Sequence, residues 1–272
     1  MQKKQITSVL ILAIFLVASV TVSAQEATTS AGILPKSTGA EKLELYREQI
    51  GLYRTSEDVF KVNKQQYFNL NTLSSLEKAV TSTRDTTLAR SKVLITYLEL
   101  ISEKLTATQG IDLDKKDKAL ADLKSQLEVL LKHQDATLLS TDRDALRAVA
   151  TDFYLNKELL DHAIYQALVL ISIGNIQTVN DKAEALLEDV KLEHGKEKVS
   201  SLITAKRERA YTETTKHIDD TNLEIRDIYM QQFKKGDKLF TKANYSQIAD
   251  ALDVPYITST KTLGFLQELL SI

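Results

Sequence analysis

The chain has 272 residues, of which 43% are hydrophobic and 26% charged, and its formal net charge is −2. It contains no cysteine and no tryptophan, and only two prolines. This composition excludes disulfide scaffolds, thiolate metal sites and cysteine nucleophiles, and the apolar fraction is too high for a disordered chain. The small net charge provides no bulk attraction to polyanions, so we expect no nucleic-acid partner.

The first 24 residues have the three-part pattern of a secretory signal peptide. Lys3 and Lys4 precede an apolar run from Val9 to Val22, and the run ends in small residues that suit a signal peptidase. This run is shorter than the ~20 residues that span a bilayer. We therefore predict cleavage after Ala24, export to the periplasm or the cell exterior, and no stable membrane span in the mature chain. Export without cysteine favours a bacterial source.

Residues 25–40 are mostly small and polar and are predicted to form a flexible linker. From there the chain has no proline before Pro255, which permits long helices. Gly110, Gly195 and Gly236 each follow a segment with helical periodicity, where a left-handed C-cap is expected.

The first helical segment, 41–69, carries two stripes with seven-residue spacing. The aromatic stripe is Tyr46, Tyr53, Phe60 and Tyr67, and an aliphatic stripe runs beside it at Leu45, Leu52 and Val59. Seven residues make two helical turns, so each set lies on one side of the helix. Core packing alone produces this spacing, but tyrosine is also enriched at interfaces. We expect a bundle core here and keep the four aromatic residues as candidates for partner binding.

Four more periodic segments are predicted, at 74–108, from about 112 to 139, at 142–194 and at 197–235. The second starts at a capping box, Ser74-x-x-Glu77, and Asp112 or Asp114 caps the third. Gly174 marks a place where the fourth segment could kink or split. The C-terminal part is predicted as a short helix to Leu252, a break at Pro255 and a second short helix.

No stretch outside the leader shows the alternation of a β-strand. The fold class is therefore predicted as all-α: an elongated antiparallel bundle of about five long helices over 41–235, with short C-terminal helices packed on it over 236–272.

The sequence contains no recognisable catalytic or metal-binding pattern. None of the four histidines, His133, His162, His194 and His217, has a glutamate three positions before it, so the Glu-x-x-His metal motif is absent. The sequence also has no phosphate loop, no dinucleotide fingerprint and no Gly-x-Ser-x-Gly motif. The acidic run starting at Asp112 lacks the glycine of a calcium loop. We predict a non-enzymatic protein with no catalytic residues, no cofactor and no metal.

Three functions remain. The first is an exported structural or interaction protein that presents a helical face to an envelope or extracellular protein. The partner in this case can also be a second copy of the chain, in a homo-oligomer. The second is a membrane-active protein, similar in outline to α-helical pore-forming toxins, in which the apolar segment 163–176 is concealed. The third is a small-molecule binding bundle with a pocket near Tyr97 or Tyr165.

Overall fold

A computed structural model describes residues 39–233 and 240–271 of the chain. These residues form six helices and no strand: α1 (Gly39–Leu70), α2 (Leu73–Ala107), α3 (Leu113–Leu139), α4 (Arg143–His194), α5 (Ser201–Phe233) and α6 (Lys242–Ser271). The all-α class and the close packing of helices are thereby confirmed. The predicted signal peptide, 1–24, and the linker up to residue 38 lie outside the described residues, whereas Gly39 and Ala40 belong to α1.

Side-chain caps fix the helix starts. Asp112 and Asp142 cap α3 and α4 by accepting hydrogen bonds from the N–H groups of Lys115 and Ala145. The capping box of α2 is formed by Thr72 and Ser75, so its prediction at Ser74 and Glu77 is wrong. The reason is that Asn71, with φ 46°, ends α1 in a left-handed turn and makes Thr72 the first capping position.

The predicted glycine caps have different outcomes. Gly110 has φ +69°, which confirms a left-handed conformation after α2. Gly195 has φ −65°, so the left-handed cap predicted there is wrong. The chain instead leaves α4 by a right-handed turn, in which the N–H of Lys196 donates to the carbonyl of Glu193. Gly236 lies outside the described residues.

Helix α4 is continuous over 52 residues and is shared by two groups of helices. At 1.5 Å per residue it is about 78 Å long. It packs against α2 and α3, and also against α5 and α6. All these helices therefore meet on one central element.

The packing of α4 with α5 and α6 contains two separate apolar clusters. The junction cluster consists of Val169, Ile173, Ile176, Ile225, Ile228, Phe240, Ile248 and Leu252. The distal cluster consists of Ala183, Leu187, Val190, Ala210, Ile218, Leu266 and Leu269. Between them on α4 lies Asn180, whose side-chain N–H donates to Asn222 Oδ1 at 2.9 Å and to the Ile218 carbonyl at 3.2 Å. A buried polar layer thus separates two apolar layers.

Helix α4 is not interrupted at Gly174. Instead, the turn between α2 and α3 packs directly against this glycine. A Cβ at this position would lie 2.5 Å from the Gln109 carbonyl oxygen, 2.5 Å from Thr108 Cγ2 and 2.6 Å from Ile111 Cγ1. Only glycine permits so close an approach of the turn to the helix.

The C-terminal part is one helix of 30 residues that contains Pro255, so the predicted break and the two short helices are wrong. A proline removes one hydrogen bond from a helix interior. Here Leu252 is anchored in the junction cluster and Leu266 in the distal cluster, on either side of the proline. This packing on both sides keeps the helix continuous against its local propensity.

Candidate functional site

The four aromatic residues of α1 lie on the side that packs against α2. Tyr46 is buried and stacks on Tyr97 of α2, with ring centroids 5.4 Å apart. Tyr53, Phe60 and Tyr67 are half-buried. Their first role is therefore helix packing, and a role in partner binding through their exposed edges stays a prediction.

The aliphatic stripe of α1 is the more open surface. Leu45 is 44% exposed, Leu52 is 58% exposed and Val59 is 50% exposed, and Val62 extends the stripe by one turn. Within the described residues, the backbone of α1 approaches that of α2 closely and of no other helix. The seven-residue spacing indicated this stripe in the sequence but could not indicate which of the two stripes faces outward.

Charges are sorted around the aliphatic stripe. Arg47, Arg54 and Lys61 each follow a stripe residue by two positions, which turns them to the opposite side of the helix. Glu48 lies three residues after Leu45 and four before Leu52, on the side of the stripe. One carboxylate, that of Glu48, therefore lies beside the apolar stripe.

A buried polar group lies where α2, α3 and α4 meet. The His133 Nδ1 of α3 is 3.1 Å from Ser91 Oγ of α2, and the Ser91 hydroxyl is also 3.0 Å from the Thr87 carbonyl. The Arg90 guanidinium lies over the Phe153 ring of α4, 4.1 Å from its centroid, and the His133 ring is 5.2 Å from the same centroid. A cation–π contact between two half-buried side chains thus joins α2 to α4.

Burial controls the titration of this group. Burial lowers the pKa of the Arg90 guanidinium, and the nearby Tyr53 hydroxyl offsets part of this decrease. Burial lowers the pKa of His133 as well, and the positive charge of Arg90 lowers it further, against an opposing contribution from Asp152. His133 therefore stays neutral at neutral pH.

A small cavity of about 10 Å³ adjoins His133, between α3 and α4. It is lined by Gln126, His133, Asp152, Phe153, Asn156 and neighbouring apolar residues. Such a volume holds about one water molecule. Small-molecule sites are commonly about 300–1,000 Å³, so this cavity is no site for an organic ligand.

The two tyrosines named as pocket candidates each stack on another tyrosine. Tyr97 stacks on Tyr46, and Tyr165 of α4 stacks on Tyr245 of α6 with centroids 5.1 Å apart. Burial raises the pKa of Tyr97, and the other three phenols raise it further. A ring therefore packs against one face of each candidate tyrosine, and a ligand pocket at these positions stays a prediction.

The apolar segment 163–176 is the most enclosed part of α4. Ten of its 14 residues are buried, and three of them belong to the junction cluster. Among the described helices, α4 alone is long and apolar enough to cross a bilayer by length and composition, and 56% of its most apolar window is buried. The core helix of a soluble bundle has the same properties.

His162 directly precedes this segment and connects three helices. Its Nδ1 accepts a hydrogen bond of 2.7 Å from the backbone N–H of Phe240, just before α6. Its Nε2 is 3.8 Å from Asp122 Oδ2 of α3. Its ring packs against the Phe240 ring, with centroids 5.8 Å apart. The sequence gives no signal for this contact, because residues 78 positions apart share no local pattern.

Within residues 39–233 and 240–271, no group of three or more His, Asp or Glu side chains is placed to hold a metal ion. His194 Nδ1 is 2.7 Å from the Tyr211 hydroxyl, and His217 stacks on Phe265. Each of the four histidines thus has a contact from another part of the chain.

Comparison with models of protein families, with curated proteins and with solved structures finds no match to this chain.

Proposed function

We propose that this protein is an exported, non-enzymatic helical protein that binds a partner protein through the aliphatic stripe of α1. The observation that carries the proposal is the exposed row Leu45, Leu52, Val59 and Val62 on a helix that, among the described helices, packs closely against α2 alone. A row with this spacing suits an amphipathic helix packed alongside it. The leader sequence supports action in the periplasm or outside the cell.

The charges beside the stripe narrow the class of partner. Glu48 is on the stripe side, and the three basic residues Arg47, Arg54 and Lys61 face away from it. A partner helix that carries Lys or Arg beside its apolar seam complements this face. An anionic lipid surface would be repelled by the same carboxylate, which favours a protein as the occupant.

Photo-crosslinking from α1 tests the proposal. A benzoylphenylalanine is placed at Leu52 in the full-length protein, and a matched control carries it at Arg54, on the opposite side of the same helix. In the native cell we expect a discrete cross-linked band from position 52 that is absent from position 54. Mass spectrometry of the band identifies the partner, or a second copy of the chain.

A charge on the stripe provides the second arm of this test. Val59→Glu should abolish the cross-link from position 52 while the melting temperature stays within a few degrees, because Val59 is half exposed. Equal cross-linking from positions 52 and 54, or a band that Val59→Glu does not weaken, would exclude the α1 stripe as the binding face.

Membrane activity is the second candidate function, and one observation favours it. The segment 163–176 lies in a helix that is long and apolar enough to cross a bilayer. Dye leakage from phosphatidylcholine vesicles tests this function, with Leu168→Asp as the variant that should prevent leakage because it places a charge in the apolar segment.

A further inference from the structure

The contact between His162 and Phe240 can exist in only one protonation state of the histidine. A backbone N–H is always a donor, so the Nδ1 that it contacts at 2.7 Å must carry a free lone pair. In the imidazolium both ring nitrogens are donors. A protonated His162 would therefore place two donors against each other, and the hydrogen bond would be lost.

This hydrogen bond lies where α6 covers the apolar segment. Phe240 belongs to the junction cluster together with Val169, Ile173 and Ile176 of α4. Tyr245, in the first turn of α6, stacks on Tyr165 of the segment. The start of α6 and the residues just before it thus cover one side of 163–176, and His162 holds them at the boundary.

Within the part of the chain that the structure describes, two charged residues act on His162, and both belong to α3. From α3, the Asp122 carboxylate favours the imidazolium and Lys118 disfavours it. Among the described residues, the groups that contact His162 from the α6 side are the Phe240 ring and N–H group, which carry no charge. Burial is the largest influence and lowers the pKa of His162 below its ordinary value of 6.5.

We propose that His162 is an acid-sensitive clip, which in neutral solution holds the start of α6 over segment 163–176 and on acidification releases the segment for insertion into lipid. The lipid step rests on the second candidate function, whereas the release is a property of the fold alone. Release in acid follows because the open state takes up the proton more readily than the packed state.

Hydrogen–deuterium exchange of the full chain, corrected for the intrinsic effect of pH, measures the release directly. We expect the protection of 163–176 to fall by up to about tenfold per pH unit below 6.5. His162→Asn keeps an acceptor near the position of Nδ1 but cannot be protonated there, so it should abolish this acid dependence. His194→Asn, a histidine substitution at the far end of the same helix, is the matched control and should leave it unchanged.

Two variants on α3 test the direction of the effect without altering the histidine. Asp122→Asn removes a charge that favours the imidazolium in the packed state, so exchange of 163–176 in acid should rise further. Lys118→Met removes a positive charge that disfavours the imidazolium in the packed state, so exchange of 163–176 in acid should fall below that of the wild type. At pH about 7.5, where the ring is neutral, neither variant should change exchange.

Leakage of calcein from phosphatidylcholine vesicles containing phosphatidylglycerol separates the clip from the lipid step. Acid-dependent exchange with leakage that His162→Asn prevents supports both. Acid-dependent exchange with intact vesicles supports the clip and excludes insertion into lipid. Protection of 163–176 that does not change with pH, or an acid dependence that persists in His162→Asn, overturns the clip.

Discussion

Gly174 shows how one missing methyl group fixes the position of a turn. Replacing glycine in a helix interior by alanine usually stabilises a protein by about 1 kcal/mol. At Gly174 the new Cβ would meet three atoms of the α2–α3 turn at 2.5–2.6 Å. We therefore expect Gly174→Ala to lower the free energy of unfolding by about 1–3 kcal/mol, the usual cost of overpacking.

The control for Gly174 is another helical glycine with free space around it. Gly264 of α6 has no heavy atom within 4 Å of an added Cβ. Gly264→Ala should raise the free energy of unfolding by up to about 1 kcal/mol. Urea denaturation of both variants checks the prediction, and a gain in stability for Gly174→Ala would contradict the close approach of the turn.

His133 gives stability a defined dependence on pH. Burial and then Arg90 lower the pKa of His133 in the folded state below 6.5. As pH falls through 6.5, the unfolded chain binds a proton that the folded chain does not. The free energy of unfolding should therefore decrease as pH falls from 6.5 to the folded-state pKa, and level off below it.

The variant His133→Gln isolates this contribution. It has no titrating ring, so the decrease in unfolding free energy between neutral pH and pH about 5 should be smaller than in the wild type. Urea titrations at a series of pH values measure both curves. Parallel curves for the two proteins would show that His133 does not control this range.

The polar layer between α4 and α5 depends on the hydrogen-bond donors of one buried side chain. Asn180 is 1% exposed and donates both of its described hydrogen bonds, to Asn222 Oδ1 and to the Ile218 carbonyl. Asn180→Asp is nearly isosteric, but a carboxylate cannot donate and its charge would be buried. We expect a loss of about 3 kcal/mol or more in unfolding free energy at neutral pH.

The loss should be partly recovered in acid, where the new carboxyl is protonated and can donate again. Asn175→Asp is the matched control, five residues earlier on the same helix and exposed. It should change the unfolding free energy by less than about 0.5 kcal/mol. Equal effects of the two substitutions on thermal unfolding would contradict the buried layer.

Helix type and approximate position were predictable because apolar periodicity and the absence of proline are local signals. The helical segment 142–194 and a cap at Asp112 or Asp114 followed from them, whereas the continuity of the helix through Gly174 did not. The helix through Pro255 did not, because its continuity depends on packing with α4 and α5 on both sides of the proline. Tertiary packing of this kind overrides local propensity.

In the candidate sites too, local features were predictable from the sequence and tertiary contacts were not. The two stripes of α1 are visible in the sequence, but which one faces α2 depends on the position of Tyr97. The contacts of His162 and His133 join residues 78 and 42 positions apart, so no spacing rule reveals them. A single sequence can suggest surfaces of helices but not the partners of isolated polar side chains.

The shared helix α4 couples the two ends of the described region. The described residues belong to one compact unit, and α4 contributes to the packing of α2 and α3 as well as of α5 and α6. We therefore expect a single cooperative unfolding transition.

Leu187→Ala tests this coupling, because Leu187 is 2% exposed in the distal cluster. Its truncation should cost about 2–5 kcal/mol. The NMR signals of His133 and His217 report the two ends of the molecule. Both should lose their native shifts at the same urea concentration in the variant, and an earlier loss at His217 alone would show that the ends unfold independently.

The α2–α3 turn and the α4–α5 turn differ in how well they can accept an inserted sequence. The α2–α3 turn is seated on Gly174, so an epitope tag placed there would force the turn off its helix. Residues 195–200 between α4 and α5 are all exposed. A tag or fluorescent protein inserted between Lys198 and Val199 should be accepted without loss of folding, which makes this turn the natural place to label the protein in a living cell.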